Sequence, residues 1–314
     1  MSLPAVRIPP RLGPGAYIGI VAPASPPSDR TKIEKGIEYL LHKGFQVVRG
    51  ASINNSDGYL AGTDEQRAAD INAMFADPAV DAIICLRGGY GSGRILPLLD
   101  YPVIQRNPKI FVGYSDITAL HAALWAKCRL LTFAGPMVAA DFWKGLDDVT
   151  EHAFWQLLTK PQSRYRLYHT ELAPGARCLV PGMCEGTLLG GNLAVLMTVI
   201  GTPYEPKWEQ AILVVEDVGE NVYKIDRMLS HLTNAGVLKR IGALIFGRFT
   251  SIPDDGQSRE LDAVLREYTQ PLGIPAICNF PVGHDNPKIT LPMGAHVRLN
   301  AQKCLLHAMH PVVA

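Results

Sequence analysis

The sequence predicts an α/β protein with a parallel-sheet domain first and a β-rich α+β domain second. Between residues 17 and 140, short apolar runs alternate with amphipathic helical stretches, which is the pattern of βα units around a parallel sheet. Beyond residue 180, apolar runs suited to strands are mixed with fewer helical patterns. A chain of 314 residues, 47% of them hydrophobic, is long enough for two domains with buried cores.

The strand predictions follow the apolar runs in chain order. In the first part they fall at 17–21, 46–49, 82–86 and 110–113, and in the second part at 187–189, 212–215, 243–246 and 296–299. A less regular stretch with Pro161 and Pro174 separates the two parts. We therefore predict an N-terminal domain at 1–150, an inter-domain connection at 151–180 and a C-terminal domain at 181–314.

Two helices between the first three strands carry start signals. Thr31 and Glu34 have capping-box spacing, and Gly44 is placed to end that helix. Thr63 and Gln66 have the same spacing at the start of the second helix. A third helix is predicted within 223–232. The predicted inward face of the first helix consists of Ile33, Ile37, Leu40 and Leu41.

Composition excludes several classes of function. The 30 basic and 29 acidic residues leave a net charge of +1, which gives no general attraction to nucleic acid or to anionic membranes. The six cysteines form no CxxC pair and the nine histidines no HExxH motif, so we expect reduced thiols and no metal site. Prolines interrupt the N-terminal apolar stretch, and no run approaches the ~20 residues of a membrane span. A soluble, cytoplasmic protein is expected.

Ser115 lies where the predicted strand 110–113 runs into a helical pattern. A serine on such a sharp turn exposes its hydroxyl and has amides at the positive end of a helix beside it, which favours a developing oxyanion. This is the geometry of a nucleophile elbow, although Ile117 stands where the elbow of α/β-hydrolases has glycine. The alternative is that Ser115 only caps the helix.

The segment Arg87-Gly88-Gly89-Tyr90-Gly91 directly follows the predicted strand 82–86. Glycines at the carboxyl end of a parallel strand let backbone amides approach a ligand, and open α/β sheets bind ligands at this edge. The amides can act as oxyanion donors. The spacing does not match the GxGxxG motif of a dinucleotide site, while a plain tight turn stays possible.

An acidic pair and a histidine follow apolar runs in the second part. Glu216 and Asp217 come after 212–215, and His284 comes after a run ending near residue 282. If strand geometry continues, the two carboxylates point to opposite faces, so only one of them can orient a histidine. Either acid can also be a solvated charge, and the histidine a satisfied structural group.

Four segments together resemble the LD-carboxypeptidase family of serine peptidases, which includes muramoyltetrapeptide carboxypeptidases and microcin-immunity peptidases. They are RGGYG at 87–91, GYSD at 113–116, EDVGENVYKIDRML at 216–229 and GHDNPKITLPMGAHVRL at 283–299. The resemblance implies a flavodoxin-like or Rossmann-like N-terminal domain that carries the serine. It also implies a β-rich C-terminal domain that carries the acid and the histidine, with the active site in the cleft between the domains.

The resemblance also implies residue roles. Ser115 matches the nucleophile, His284 the base, and Glu216, rather than its neighbour, the acid that orients the base. The backbone amides around Gly88, Gly89 and Asp116 match the oxyanion donors. The implied reaction releases D-Ala from the L-centre of the diamino acid in murein tetrapeptide, in peptidoglycan recycling. It needs no cofactor, and a homodimer is implied.

Recognition of the free carboxylate of a peptide requires a cation or a nest of amides. Arg87, Asn192 and Tyr90 are the candidates to shape that pocket, although each alone also fits a structural role. Two alternatives remain open. One is a related serine peptidase that cleaves a peptide-nucleotide antibiotic, and the other is a module that binds a small ligand without catalysis.

Overall fold

The computed structural model describes residues 5–254, 256 and 259–314. Along these residues the strands are β1 (Tyr17–Val21), β2 (Gln46–Arg49), β3 (Ala82–Cys85), β4 (Ile110–Gly113), β5 (Thr132–Ala134), β6 (Tyr165–Tyr168), β7 (Arg177–Val180), β8 (Met183–Asn192), β9 (Ile212–Val218), β10 (Ala243–Thr250), β11 (Ala276–Cys278), β12 (Leu291–Met293), β13 (His296–Asn300) and β14 (Leu305–Ala308). The α-helices are α1 (Thr31–His42), α2 (Asp64–Ala76), α3 (Tyr101–Arg106), α4 (Thr118–Cys128), α5 (Asp148–Thr159), α6 (Leu193–Met197), α7 (Val222–Asn234) and α8 (Leu261–Thr269).

The first sheet confirms the predicted parallel α/β architecture. Strands β1 to β5 pair in parallel in the order β5-β4-β3-β1-β2, and β12 adds an antiparallel strand beside β5. Every residue of β3 and β4 is buried. Burial on both faces is why these strands are continuous apolar runs in the sequence instead of alternating ones.

The helix starts differ from one another in how they are capped. Thr63 caps α2 through the predicted capping box, which is confirmed. At α1 the predicted box is wrong, because the helix begins at Thr31 with Arg30 as its N-cap. Asp29 accepts hydrogen bonds from both the amide and the hydroxyl of Thr31, so that hydroxyl is already engaged. Leu41, predicted to face inward, is 48% exposed.

The second sheet has eight strands in the order β6-β14-β13-β8-β9-β10-β11-β7. Its centre, from β8 to β11, is parallel, and both sides are antiparallel. The strands predicted in the second half fall in β8, β9, β10 and β13, and the predicted helix falls in α7. The expected second domain, rich in β structure, is therefore confirmed.

The stretch 151–180 differs from the predicted connection. It contains most of α5 and the strands β6 and β7, which lie at the two edges of the second sheet. Each of these strands has four residues and pairs with a single neighbour, and such short edge strands leave little apolar pattern in a sequence. Among the described residues, no helix has the length and apolar character needed to span a membrane.

One crossing between the two sheets brings the segment that carries His284 to the first sheet. Strand β11 belongs to the second sheet, but β12, which follows it in the chain, pairs with β5 of the first sheet. The segment between them carries His284. Since β5 is the neighbour of β4, this crossing leads His284 towards the end of β4, where Ser115 lies.

Candidate active site

Ser115 lies on a sharp turn between β4 and α4. Its φ of +64° is in the left-handed region, which non-glycine residues seldom adopt outside strained or functional turns. A short 3-10 turn, Ser115–Ile117, leads directly into the helix. Ile117 folds back on the strand so closely that a Cβ on Gly113 would lie 2.8 Å from its side chain. The glycine that this turn requires is therefore at 113, and Ile117 is a buried packing residue.

The glycine-rich loop after β3 packs directly against the turn. A Cβ on Gly88 would lie 3.1 Å from the Oγ of Ser115 and 3.2 Å from the amide of Asp116. Gly89 has a φ of +115°, and Ser25 accepts a hydrogen bond from the Tyr90 amide at 3.1 Å. In the described part of the chain, neither Gly88 nor Gly89 donates its amide to another protein group. These amides are therefore available to a ligand beside Ser115.

Asp116 ties this loop to the turn. Its carboxylate accepts a hydrogen bond from the Ser92 amide at 2.8 Å, and its carbonyl accepts one from the Ser92 hydroxyl. Burial raises the pKa of Asp116, and the hydrogen bonds from Ser92 partly oppose that shift. The side chain of Asp116 thus supports the loop, whereas its amide lies next to Gly88.

His284 and Glu216 are in direct contact. The Nδ1 of His284 lies 2.9 Å from the Oε2 of Glu216, whose side chain is only 4% exposed. Gly247 and Gly283 allow backbone to pack closely against Glu216, since a Cβ on Gly247 would lie 2.8 Å from the Cβ of Glu216 and one on Gly283 would lie 2.8 Å from its Oε2. The ring of Tyr114 meets the His284 ring edge to face, with centroids 5.2 Å apart. With Nδ1 on the carboxylate, Nε2 is left for another partner.

Asp217 occupies the other face of β9, as alternation along a strand requires. Its carboxylate accepts hydrogen bonds at 2.9 Å from the Asn192 side chain and from the amides of Ala194 and Val218. Burial raises the pKa of Asp217. Of the acidic pair, it is Glu216 that contacts His284, and Asp217 holds the start of α6.

A cavity of about 480 Å³ lies over Ser115 and His284. Its cationic side chains are Lys32 and Arg87, and it has no aspartate or glutamate among its described lining residues. No hydrogen bond joins Ser115 to His284 within the described residues. In enzymes without bound substrate, the distance between catalytic side chains is often longer than a hydrogen bond and shortens when substrate binds. The cavity is lined by Pro27, Ser28, Lys32, Arg87, Gly88, Gly89, Tyr114, Ser115, Met137, Ala139, Ala140, Trp143, Val218 and His284.

Two of the residues suggested for substrate binding lie outside this cavity. Asn192 is buried, caps α6 and donates to Asp217, so its side chain has structural partners. Tyr90 is 52% exposed and lines a neighbouring cavity of about 470 Å³. Arg87 lies in the wall of the main cavity, where its guanidinium donates to the carbonyls of Pro26 and Gly88.

Other residues at the cavity were not singled out by the sequence. Lys32 lies in the first turn of α1 with its Nζ 4.4 Å from the ring of Trp143. In sequence, Lys32 has the pattern of a solvated helix position, and Trp143 falls in an irregular stretch. No signal of residue type or spacing brings the two together. Across the part of the chain that is described, no cluster of three or more His, Cys, Asp or Glu residues is arranged to hold a metal ion.

Comparison with protein families supports the motif resemblance. The model described as LD-carboxypeptidase N-terminal domain matches residues 18–135, and that described as LD-carboxypeptidase C-terminal domain matches residues 185–299. The chain belongs to the LD-carboxypeptidase family. It is therefore a hydrolase of the serine carboxypeptidase class.

Individual members of the family are similar over nearly the whole chain. A protein named "Probable murein peptide carboxypeptidase" from Bacillus subtilis is 41% identical, and the alignment covers 93% of this chain and 91% of the relative. The crystal structure of muramoyltetrapeptide carboxypeptidase from Oxalobacter formigenes has a TM-score of 0.80 at 31% identity, covering 93% and 97%. The structure of the microcin C7 self-immunity protein MccF in complex with glutamyl sulfamoyl guanosine has a TM-score of 0.92 at 29% identity, and the match covers 98% of this chain and 99% of that one.

Proposed function

We propose that this LD-carboxypeptidase releases the terminal D-Ala of murein tetrapeptide by means of a Ser115–His284–Glu216 triad. The observation that carries the proposal is the 2.9 Å contact between His284 and buried Glu216, at a cavity that Ser115 also lines. An acid on Nδ1 of a histidine, with a serine in reach of Nε2, is the arrangement that activates a serine nucleophile.

In the proposed reaction, His284 removes the proton of Ser115 as Ser115 attacks the scissile carbonyl. Glu216 keeps the Nδ1–H tautomer and stabilises the imidazolium that forms. His284 then protonates the departing amine of D-Ala. Water hydrolyses the acyl-enzyme by the same route, so the histidine acts first as base and then as acid in each half of the reaction. These steps need no cofactor.

The oxyanion of the tetrahedral intermediate needs donors that are in place before the reaction. The amides of Gly88, Gly89 and Asp116 are the proposed donors, because Gly88 and Gly89 line the same cavity as Ser115 and the Asp116 amide adjoins Gly88. The left-handed conformation of Ser115 supports this assignment, since the turn directs the following amide to the same side as the loop. Gly88 leaves the space that a substrate carbonyl needs.

An exopeptidase must bind the free carboxylate next to the scissile bond. We assign this role to Arg87, which precedes Gly88 in the loop that touches Ser115. Lys32 supplies a second cation to the cavity, and murein tetrapeptide carries further carboxylates for it to bind. Tyr90 and Asn192 are given no direct contact with substrate in this assignment.

The names of relatives favour murein tetrapeptide over other amides. A murein tetrapeptide carboxypeptidase from Pseudomonas aeruginosa is 31% identical over 88% of this chain. The competing substrate class is the aminoacyl sulfamoyl nucleoside type bound by MccF, and Trp143 in the cavity wall is the side chain that favours it, through base stacking. Lys32 already covers one face of that indole. A cytoplasmic location remains a prediction from the sequence pattern, and a homodimer remains a prediction from the resemblance.

The test is release of free D-Ala from murein tetrapeptide by the purified protein, measured with a D-amino acid oxidase assay. We expect release by the wild type and none by Ser115→Ala. A tetrapeptide whose terminal carboxylate is amidated should be a poor substrate. If a glutamyl sulfamoyl nucleoside is cleaved and the tetrapeptide is not, the substrate assignment is wrong. If Ser115→Ala binds ligands normally and no amide is cleaved by the wild type, a binding module is indicated.

A further inference from the structure

Beside the cavity lies a buried charged cluster that the proposed reaction does not use. The Nζ of Lys288 is 2.8 Å from the Oδ1 of Asp141 and 3.2 Å from the hydroxyl of Tyr114. The side chains of Lys288 and Asp141 are only 5% and 2% exposed. A buried ion pair loses much of its attraction to desolvation, so an apolar pair of similar volume stabilises a fold about as well. Stability alone therefore gives no reason for these two charges.

The cluster joins three segments that build the active site. Tyr114 immediately precedes Ser115, and Lys288 follows His284 by four residues. Asp141 belongs to the stretch after β5 that lines the cavity, and its second oxygen accepts a hydrogen bond from the Met137 amide at 3.0 Å. One lysine thus connects the loop of His284 with the turn of Ser115.

Tyr114 is the contact between this cluster and the imidazole. The ammonium of Lys288 lies 4.4 Å from the centroid of the Tyr114 ring, which is the range of a cation–π interaction. The same ring meets His284 edge to face. Burial, reinforced by the charge of Asp141, raises the pKa of Tyr114 well above its usual value, so the hydroxyl stays protonated and available as a hydrogen-bonding group.

The backbone of the histidine loop is held on the other side of the cluster. The amide of Lys288 donates to the hydroxyl of Thr150 at 2.9 Å, and the amide of Ile289 donates to the carbonyl of Pro281 at 2.7 Å. The Arg248 guanidinium donates to two carbonyls between His284 and Lys288. These bonds fix the ends of the loop, while the Lys288 side chain reaches the serine-bearing segment.

We propose that Lys288 is a positioning residue: paired with Asp141, it holds the ring of Tyr114 and thereby sets His284 relative to Ser115. The inference deepens the proposed function, because it assumes that His284 and Ser115 act together. Lys288 itself touches no reacting atom.

The experiment compares Lys288→Met, Asp141→Asn and the double variant with the wild type. For each protein we would measure the rate of Ser115 labelling by a fluorophosphonate, kcat and KM for murein tetrapeptide, and Tm. We expect Lys288→Met to lower the labelling rate and kcat by about 10- to 100-fold, because small displacements of reacting groups have effects of this size. KM should change by less than about threefold, since binding contacts remain.

The double variant separates positioning from stability. It leaves no unpaired buried charge, and the amide oxygen introduced by Asp141→Asn can still accept the hydrogen bond from the Met137 amide. We expect its Tm to return towards the wild-type value while kcat and the labelling rate stay low. Recovery of both rates together with Tm would overturn the proposal and leave Lys288 a purely structural residue.

Lys109→Met is the matched control for loss of a buried lysine. Lys109 is buried, donates to the carbonyl of Met74 at 2.8 Å and precedes β4 at the end remote from Ser115. The Lys109→Met variant should have a lower Tm and an unchanged labelling rate. A loss of labelling rate equal to that of Lys288→Met would overturn the proposal. Labelling does not depend on the natural substrate. Slower labelling in Lys288→Met, with no D-Ala release by the wild type, would therefore refute the proposed function and support the positioning role.

Discussion

The serine-bearing turn and the histidine-bearing loop are built in opposite ways. Ser115 lies between a buried strand and a helix that are contiguous in the chain, and its backbone conformation follows from that junction. His284 lies in a segment without helix or strand, and its contacts come from residues far away in sequence, such as Glu216 and Tyr114. The proposed nucleophile is thus placed locally and the proposed base by long-range contacts. Substitutions that remove those long-range contacts should therefore lower the catalytic rate more than they disturb the conformation of the serine turn.

Glu216→Gln should have the largest effect among changes that leave both reacting side chains in place. An amide cannot stabilise the imidazolium and can present its NH₂ group to Nδ1, which favours the wrong tautomer. We expect kcat for D-Ala release to fall by about 10³- to 10⁴-fold with a small change in KM, measured by steady-state kinetics.

Asp217→Asn is the matched control, because it makes the same chemical change on the opposite face of β9. It removes charge from the support of α6 and should lower Tm, but kcat should stay within about tenfold of the wild type. If Asp217→Asn lost as much activity as Glu216→Gln, the two acids would not have the separate roles that their contacts indicate.

Gly88→Ala tests the loop that packs against the serine turn and should have a smaller effect. The added Cβ would lie 2.9 Å from the Cβ of Ser115 and would crowd the proposed oxyanion site. We expect kcat to fall by about 10²-fold, the size associated with a displacement of about 1 Å at a reacting centre. Gly93→Ala, where a Cβ meets nothing within 4 Å, should be close to neutral in the same assay. Equal activity of the two variants would show that the space beside Gly88 is not needed.

His121 supports the turn from within α4 and should affect stability more than activity. Its Nε2 donates to the carbonyl of Gly113 at 2.8 Å, and its Nδ1 lies 2.8 Å from the Thr132 hydroxyl. Burial lowers the pKa of His121 from 6.5 to about 4. The unfolded chain therefore takes up a proton at higher pH than the folded protein does, and stability is lost as the pH falls from 6.5 towards 4.

Between pH 7 and pH 5 this residue should reduce the free energy of unfolding by about 2 kcal/mol, measured by urea titration. His121→Gln keeps a donor and an acceptor but has no charge to gain, so this part of the pH dependence should disappear. A variant with the same pH dependence as the wild type would mean that other groups cause it.

Much of the fold could be predicted because its buried strands are continuous apolar runs. The strands β1, β3 and β4 and the cap of α2 at Thr63 depend on neighbours within a few residues. The start of α1 could not be predicted in the same way, because Asp29 competes for the Thr31 hydroxyl. Strands β6 and β7 escaped prediction because they are short and lie at sheet edges.

The residues of the candidate site show the same difference between features set by neighbouring residues and features set by distant ones. Ser115 could be proposed from its strand-to-helix position, whereas only resemblance to a family favoured Glu216 over Asp217 before their contacts were known. Lys32 and Lys288 had no local signal, since each acts through a partner more than 100 residues away in the chain. Long-range pairing of this kind is set by packing and not by spacing.

The roles proposed for Ser115 and His284 are tested most directly by the rate and site of fluorophosphonate labelling, followed by mass spectrometry of the intact chain and of its peptides. We expect one adduct per chain, on Ser115, formed at least about 10²-fold more slowly in His284→Ala because the base is missing. An adduct on a different serine, or the same rate without the imidazole, would contradict the assignment of Ser115 as a nucleophile activated by His284.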